Sequence, residues 1–161
     1  MNLFLWGALP YIAFTFLIVG TLVRFFYFER NWTTKSSEFL EKKQLRIANP
    51  LFHFGLLCVI GGHVVGVLIP KTWTAAIGIN DHMYHEGALY MGAVAGIIFI
   101  VGFLLLMKRR FTVPAMKVNT SGLDKWLYLF LTLAIFSGMA GTLLNASGFF
   151  DYRVSIGPWF R

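Results

Sequence analysis

Charge is scarce in this chain. Only 14 Lys and Arg and 7 Asp and Glu occur among 161 residues, 13% in all, where a soluble domain carries roughly a quarter. Long polar segments are missing as well, and 57% of the residues are hydrophobic. Those shortages exclude a disordered chain, a DNA-binding module and an ordinary cytosolic enzyme. Cysteine is nearly absent. Cys58 stands alone, which excludes a disulfide framework and any all-cysteine metal site. What remains is an integral membrane protein.

What the chain has in abundance is uninterrupted apolar sequence. No Asp, Glu, Lys or Arg occurs in 1–23, 47–70, 87–107 or 126–150. Each run reaches the roughly 20 residues an α-helix needs to cross about 30 Å of hydrocarbon. Leu, Ile, Val, Phe, Gly and Ala fill them without the polar alternation of an outer-membrane barrel strand. The expected fold is all-α: an integral membrane helical bundle, one transmembrane domain over 1–161, with spans near 3–27, 48–69, 85–107 and 124–145. The first run lacks a basic n-region and a small-residue cleavage site, so it reads as a retained helix that Pro10 can kink. No internal repeat or low-complexity segment stands out.

Basic residues set the orientation. Arg24, Arg30, Lys35, Lys42, Lys43 and Arg46 lie between the first and second spans, and Lys108, Arg109, Arg110, Lys117 and Lys125 between the third and fourth. The other side holds only Lys71, Arg153 and Arg161 of the 14. The positive-inside asymmetry predicts a multi-pass protein of the cell membrane with its N-terminus outside and both basic loops in the cytoplasm. The net charge of +7 thus reflects topology, and no nucleic-acid partner is expected. The basic loops could also seat an acidic cytoplasmic partner. Trp6, Trp32, Trp73, Trp126 and Trp159 fall near the expected interfaces, as an aromatic belt does.

The second run contains two histidines, His53 and His63, ten residues apart. An ionisable side chain inside a span is a candidate functional site, because hydrocarbon offers it no partner. A rise of 1.5 Å per residue separates the two imidazoles by about 15 Å, with about 80° between their azimuths. That is too far to hold one metal ion together. Two readings remain open: a pair of core histidines bonded to a neighbouring helix, or two sites whose missing ligands come from another helix. Haem iron accepts two neutral imidazoles, and its flat apolar macrocycle fits between spans. Zinc wants three or four compact ligands. Gly55, Gly62 and Gly66 form a stripe that admits a helix or a planar cofactor, and Gly92 and Gly96 on the third span invite simple helix packing. Cys58 reads as a small buried hydrophobe.

Two further groups lie at the span ends. His82 and His85 flank Met83 and Tyr84 at the outer surface, where the loop 71–84 meets the third span. They serve either as surface residues or as acceptors of protons from a quinol, with Asp81 and Glu86 as relays. At the opposite face, Lys108, Arg109 and Arg110 close the third span. They anchor it, or supply cations to the propionates of a haem near His53.

The ordered set of motifs resembles the gamma subunits of membrane-bound respiratory nitrate reductases, over the whole of 1–161. The matching residues are Asn49-x-x-x-His53, Gly62-His63-x-x-Gly66-x-x-x-Pro70, Leu105-Leu106-x-Lys108-Arg109-Arg110 and Thr120-x-Gly122-x-Asp124. The resemblance implies a five-helix dihaem cytochrome b that oxidises membrane quinol within the lipid bilayer. It implies two haem b groups, with His63 a ligand of the distal haem near the outer face and His53 of the proximal haem near the cytoplasm. Quinol oxidation beside the distal haem would release protons outward. Electrons would pass to an iron–sulfur beta subunit and a molybdenum-containing alpha subunit that reduces nitrate. Family members often carry a lysine near the quinol pocket where this chain has His82.

The resemblance also implies a fifth span whose two histidines complete the axial ligation. The sequence ends at Pro158-Trp159-Phe160-Arg161, so the expectation is a fragment or truncated product with half of that ligation. Two other functions compete: a cytochrome b anchor of another quinol-linked reductase, and a non-redox membrane anchor or transporter fragment.

Overall fold

The computed structural model describes residues 4–28 and 38–149. Arg30, Trp32, Lys35, Arg153, Trp159 and the terminal Pro158–Arg161 motif lie outside the described residues. Every regular element among the described residues is helical, and four helices are long and apolar enough to cross a membrane. They are α1 (Leu9–Tyr27), α2 (Leu45–Leu68), α4 (Asp81–Thr112) and α6 (Gly122–Ala146). Two short helices, α3 (Lys71–Ala76) and α5 (Pro114–Val118), fill connections. An all-α solution follows from the solvent, since a backbone in hydrocarbon must satisfy its own N–H and C=O groups.

The chain divides into two compact units, Met1–Ser36 and Ser37–Arg161. In the first, a π-helical turn (Phe4–Ala8) precedes α1, and Pro10 sits in the first turn of the α-helix. Proline's missing N–H is harmless there, so Pro10 opens the helix rather than kinking its interior.

In the second unit α4 packs against both α2 and α6. Its contacts with α2 run in inverse order along the two helices: Arg109 meets Glu41, Gly102 meets Phe52, and Phe99 meets Gly55. The two helices are therefore antiparallel. The α4–α6 pair is antiparallel too, with Gly96 against Met139 and Arg110 against Asp124. Helix association in lipid relies on close packing rather than on hydrophobic burial. Accordingly the buried apolar set is small (Ala48, Ala95, Phe99, Phe103 and Met116), while most Leu, Ile and Phe side chains are exposed.

Helix starts carry their own signals. Asn80 caps α4 by accepting the Met83 N–H at 2.8 Å. Ser121 and Asp124 form a capping box at α6, which satisfies two otherwise orphaned backbone donors. The Asn80 cap lets α4 begin at Asp81, four residues before the expected start of the span at 85. His82 therefore lies on the first turn of the helix rather than in the loop, and His85, expected to begin the span, lies one turn further in. At its other end α4 continues through Lys108–Arg110, because charge ends an apolar run without ending a helix. Gly78, at φ +82°, closes α3 in the left-handed region that suits a residue without a side chain.

Candidate functional site

Both histidines of α2 make the same local bond. His53 Nδ1 lies 2.9 Å from the Asn49 carbonyl oxygen, and His63 Nδ1 lies 2.7 Å from that of Val59. A carbonyl can only accept, so each Nδ1 carries the proton. In the neutral ring this leaves the Nε2 lone pair free, which is the tautomer that ligates a metal ion. Such a bond also orients the ring. Both side chains are exposed on the protein. Both bonds are made within α2 itself, to the carbonyl four residues back.

The donor set can be compared with what different metals need. Among the described residues no three His, Cys, Asp or Glu side chains converge as a compact metal site does. Single imidazoles separated along one helix match the chemistry of haem, whose iron takes two axial ligands from facing helices. Each would contribute half of such a pair.

Surroundings differ between the two positions. Next to His53, Phe52 meets the imidazole edge-on, with ring centroids 5.2 Å apart. Phe52 also packs on Phe99 at 5.1 Å and Phe103 at 6.4 Å. The helix backbones nearly touch here. A Cβ at Gly55 would fall 2.7 Å from Phe99 Cα, and one at Gly102 would fall 2.6 Å from Phe52 Cα. Near His63, by contrast, a Cβ at Gly61 or Gly62 would meet nothing within 4 Å. The glycine stripe is thus uneven: Gly55 seats a helix, Gly62 borders open space, and Gly66 is buried. Cys58 is exposed, because α4 covers the Ala48–Gly55 face and leaves this flank bare.

The arginines at the end of α4 are engaged with carboxylates. Arg109 is 3% exposed. Its Nε donates to Glu41 Oε2 at 2.8 Å and its Nη2 to the Glu41 carbonyl oxygen at 2.6 Å. Glu41 Oε1 accepts the Gln44 N–H at 2.7 Å, where α2 begins. That N–H, followed by Arg109, holds the Glu41 carboxyl below the usual carboxylate range against the opposing effect of desolvation. Arg110 donates from Nη2 to Asp124 Oδ2 at 2.6 Å, and its buried Nε has no hydrogen-bond partner. Glu41 was not singled out by sequence. Its only advance signal is that it is one of three glutamates (Glu29, Glu38 and Glu41) in a loop with six basic residues.

At the opposite end, His82 Nε2 lies 3.7 Å from Glu86 Oε1, both exposed. Lys71 meets Asp81 at 3.4 Å. His85 is half-buried one turn further along α4.

The model of the nitrate reductase gamma subunit family matches residues 2–161. The chain is 46% identical over 158 residues to the nitrate reductase gamma chain of Bacillus subtilis, covering 98% of this chain and 71% of that protein. It is 40% identical over 159 residues to a nitrate reductase-like protein of Mycobacterium tuberculosis, covering 97% of this chain and 24% of the other. With the respiratory nitrate reductase 1 gamma chain of Escherichia coli the identity is 31% over 143 residues, covering 89% and 62%. The chain thus spans less than two thirds of the length of the last two relatives.

Proposed function

The chain belongs to the nitrate reductase gamma subunit family, and from that premise we propose that it is the membrane electron-transfer subunit of a quinol:nitrate reductase. The observation that carries this reading is the matched pair of imidazoles on α2, each with Nδ1–H tied to a carbonyl and Nε2 left to a ligand. His63 would hold one haem b and His53 another. Bound haem supplies one-electron carriage across the span. Catalysis of nitrate reduction belongs to the partner subunits, not to this chain.

The side chains divide the remaining work. Quinol gives up protons with its electrons, and the exposed His82 imidazole beside Glu86 offers an acceptor at the outer end. Arg110, with a buried Nε unpaired, is the stronger candidate for a haem propionate at the inner end. Arg109 stands beside it but already spends Nε and Nη2 on Glu41. Lys42, Lys43, Arg46, Lys108, Lys117 and Lys125 are all exposed at that end. Their field favours an acidic docking surface on iron–sulfur and molybdenum subunits in the cytoplasm. The positive-inside rule puts the same end in the cytoplasm of the cell membrane.

The test uses the full-length subunit assembled with its reductase partners in membranes. His53→Ala is expected to remove one haem and His63→Ala the other, read by pyridine haemochrome and by reduced-minus-oxidised spectra. Two haems retained in either variant would overturn the ligand assignment.

A further inference from the structure

Glu41 occupies a junction that the electron-transfer reading does not use. Its side chain accepts from the Gln44 N–H at the start of α2, while its two kinds of oxygen grip one edge of the Arg109 guanidinium near the end of α4. Arg109 is 68 residues away in sequence and almost fully buried. One residue thus ties the first turn of α2 to the last turns of its antiparallel neighbour. We propose that Glu41, acting through Arg109, is a positioning residue for His53: the pair pins the α2 turn whose Asn49 carbonyl orients the His53 imidazole. This rests on the assignment of His53 as a haem ligand.

Three observations connect the pair to that ring. Pro50 lies inside α2 and has no N–H to reach the Arg46 carbonyl, so the first turn is weakly joined to the rest of the helix. The turn needs a hold from outside, and Glu41 provides it. Asn49, immediately before the proline, supplies the carbonyl that fixes His53 Nδ1. Finally, the glycine seats at Gly55 and Gly102 settle how closely α2 and α4 approach. Apolar packing in lipid leaves sliding and rotation cheap, whereas a two-pronged arginine–carboxylate contact is directional. Val59, which orients His63, lies nine residues beyond Pro50 and is held by unbroken helix. The effect is therefore confined to the inner histidine.

The experiment compares Glu41→Ala, Arg109→Ala, the double variant and Glu41→Gln in the full-length subunit assembled with its partners. Two readouts are taken. One is the potential and low-spin electron paramagnetic resonance signal of each haem. The other is the distance distribution between spin labels at Arg46→Cys and Lys108→Cys in a Cys58→Ala background, which needs no haem. Loosening the Asn49 carbonyl from His53 weakens the imidazole as a donor, which raises the potential of its haem. Both single alanine variants are expected to raise the inner potential, broaden the label distances and leave the outer signal in place. The double variant should do no more than either single one, and Glu41→Gln, which keeps an acceptor for Gln44, should show the same change at smaller size.

Opposite shifts in the two alanine variants would mean that the charges act through space on the haem, and would overturn the proposal. So would unchanged label distances, or equal disturbance of both haems. Should Glu41→Ala fail to assemble, Glu41→Gln and Arg109→Ala carry the same comparison. Failure of the ligand assignment is separately visible, since His53→Ala would then keep both haems whatever the labels report.

Discussion

His53 and His63 share a helix, a tautomer and a carbonyl four residues back, yet their neighbourhoods are built on different principles. Around His53 the structure is crowded, with glycine seats on both α2 and α4, three stacked or tilted phenylalanines, and an ion pair closing the end. Around His63 the nearby Gly61 and Gly62 face open space. Under the proposed electron-transfer role, that contrast would suit a fixed ligand at His53 and a more approachable one at His63. Local hydrogen bonding sets the chemistry of each ring, and tertiary packing sets how freely it can be approached.

The sharpest way to break that contrast is through the glycines. Gly55→Leu and Gly102→Leu would drive side chains into the backbone of the facing helix, and should destabilise the α2–α4 pair by about 1–3 kcal/mol. At Gly62 a Cβ meets nothing within 4 Å, and removing this helical glycine in Gly62→Leu should leave the pair as stable or up to about 1 kcal/mol more so. Denaturation of the purified subunit in mixed micelles of sodium dodecyl sulfate measures all three. The same Gly62→Leu protein should have lost haem at the outer position, by spectroscopy, because the added side chain fills the space beside His63. Equal destabilisation by Gly55→Leu and Gly62→Leu would erase the distinction between the two ends.

Acid should loosen one end before the other. The carboxyl of Glu41 is depressed in the folded chain below its ordinary value of 4.5, first by the Gln44 N–H and then by Arg109. A depressed carboxyl stabilises the fold above its unfolded value and loses that contribution as pH falls through the lower folded value. Label distances between positions 46 and 108 should hold from neutrality down to about 4.5 and broaden below it. The exposed Lys42–Glu38 pair at 3.5 Å should add little, as solvent screens it. Arg109→Ala should abolish the acid transition.

A smaller difference should be visible at the helix starts. Asn80→Ala removes the acceptor of the Met83 N–H and should cost about 1 kcal/mol. The loss should show as faster hydrogen exchange confined to the first turn of α4. Ser121→Ala at α6 should do the same at the basic end, where Asp124 still bonds the Ser121 N–H and limits the fraying.

Much of the scaffold can be read directly from the chain. Four charge-free runs mark four long helices, since only a helix can carry that much apolar sequence through lipid with its backbone satisfied. The boundaries were less legible where helix and hydrocarbon part company. The charge-free run starts at Gly87 and the expected span at residue 85, but the Asn80 cap starts α4 at Asp81, which moves His82 from the loop onto the same helix as His85. Pro10 reads as a kink in a run assumed to be helical from residue 3, while the observed α-helix begins at Leu9.

By itself the sequence determined the membrane class, the helical fold, the family and the two histidines with their spacing, because each depends on composition or on a repeat within one helix. Only the tertiary structure decided which glycine meets a backbone and which faces space. It alone joined Glu41 to Arg109 and Arg110 to Asp124. Those outcomes depend on the register of antiparallel helices, and register is chosen by the sum of contacts along two faces rather than by any residue's own preference. An arginine at a helix end looks the same in sequence whether it faces a propionate, a phospholipid or a glutamate. Its role is settled by which carboxylate the folded chain brings within reach.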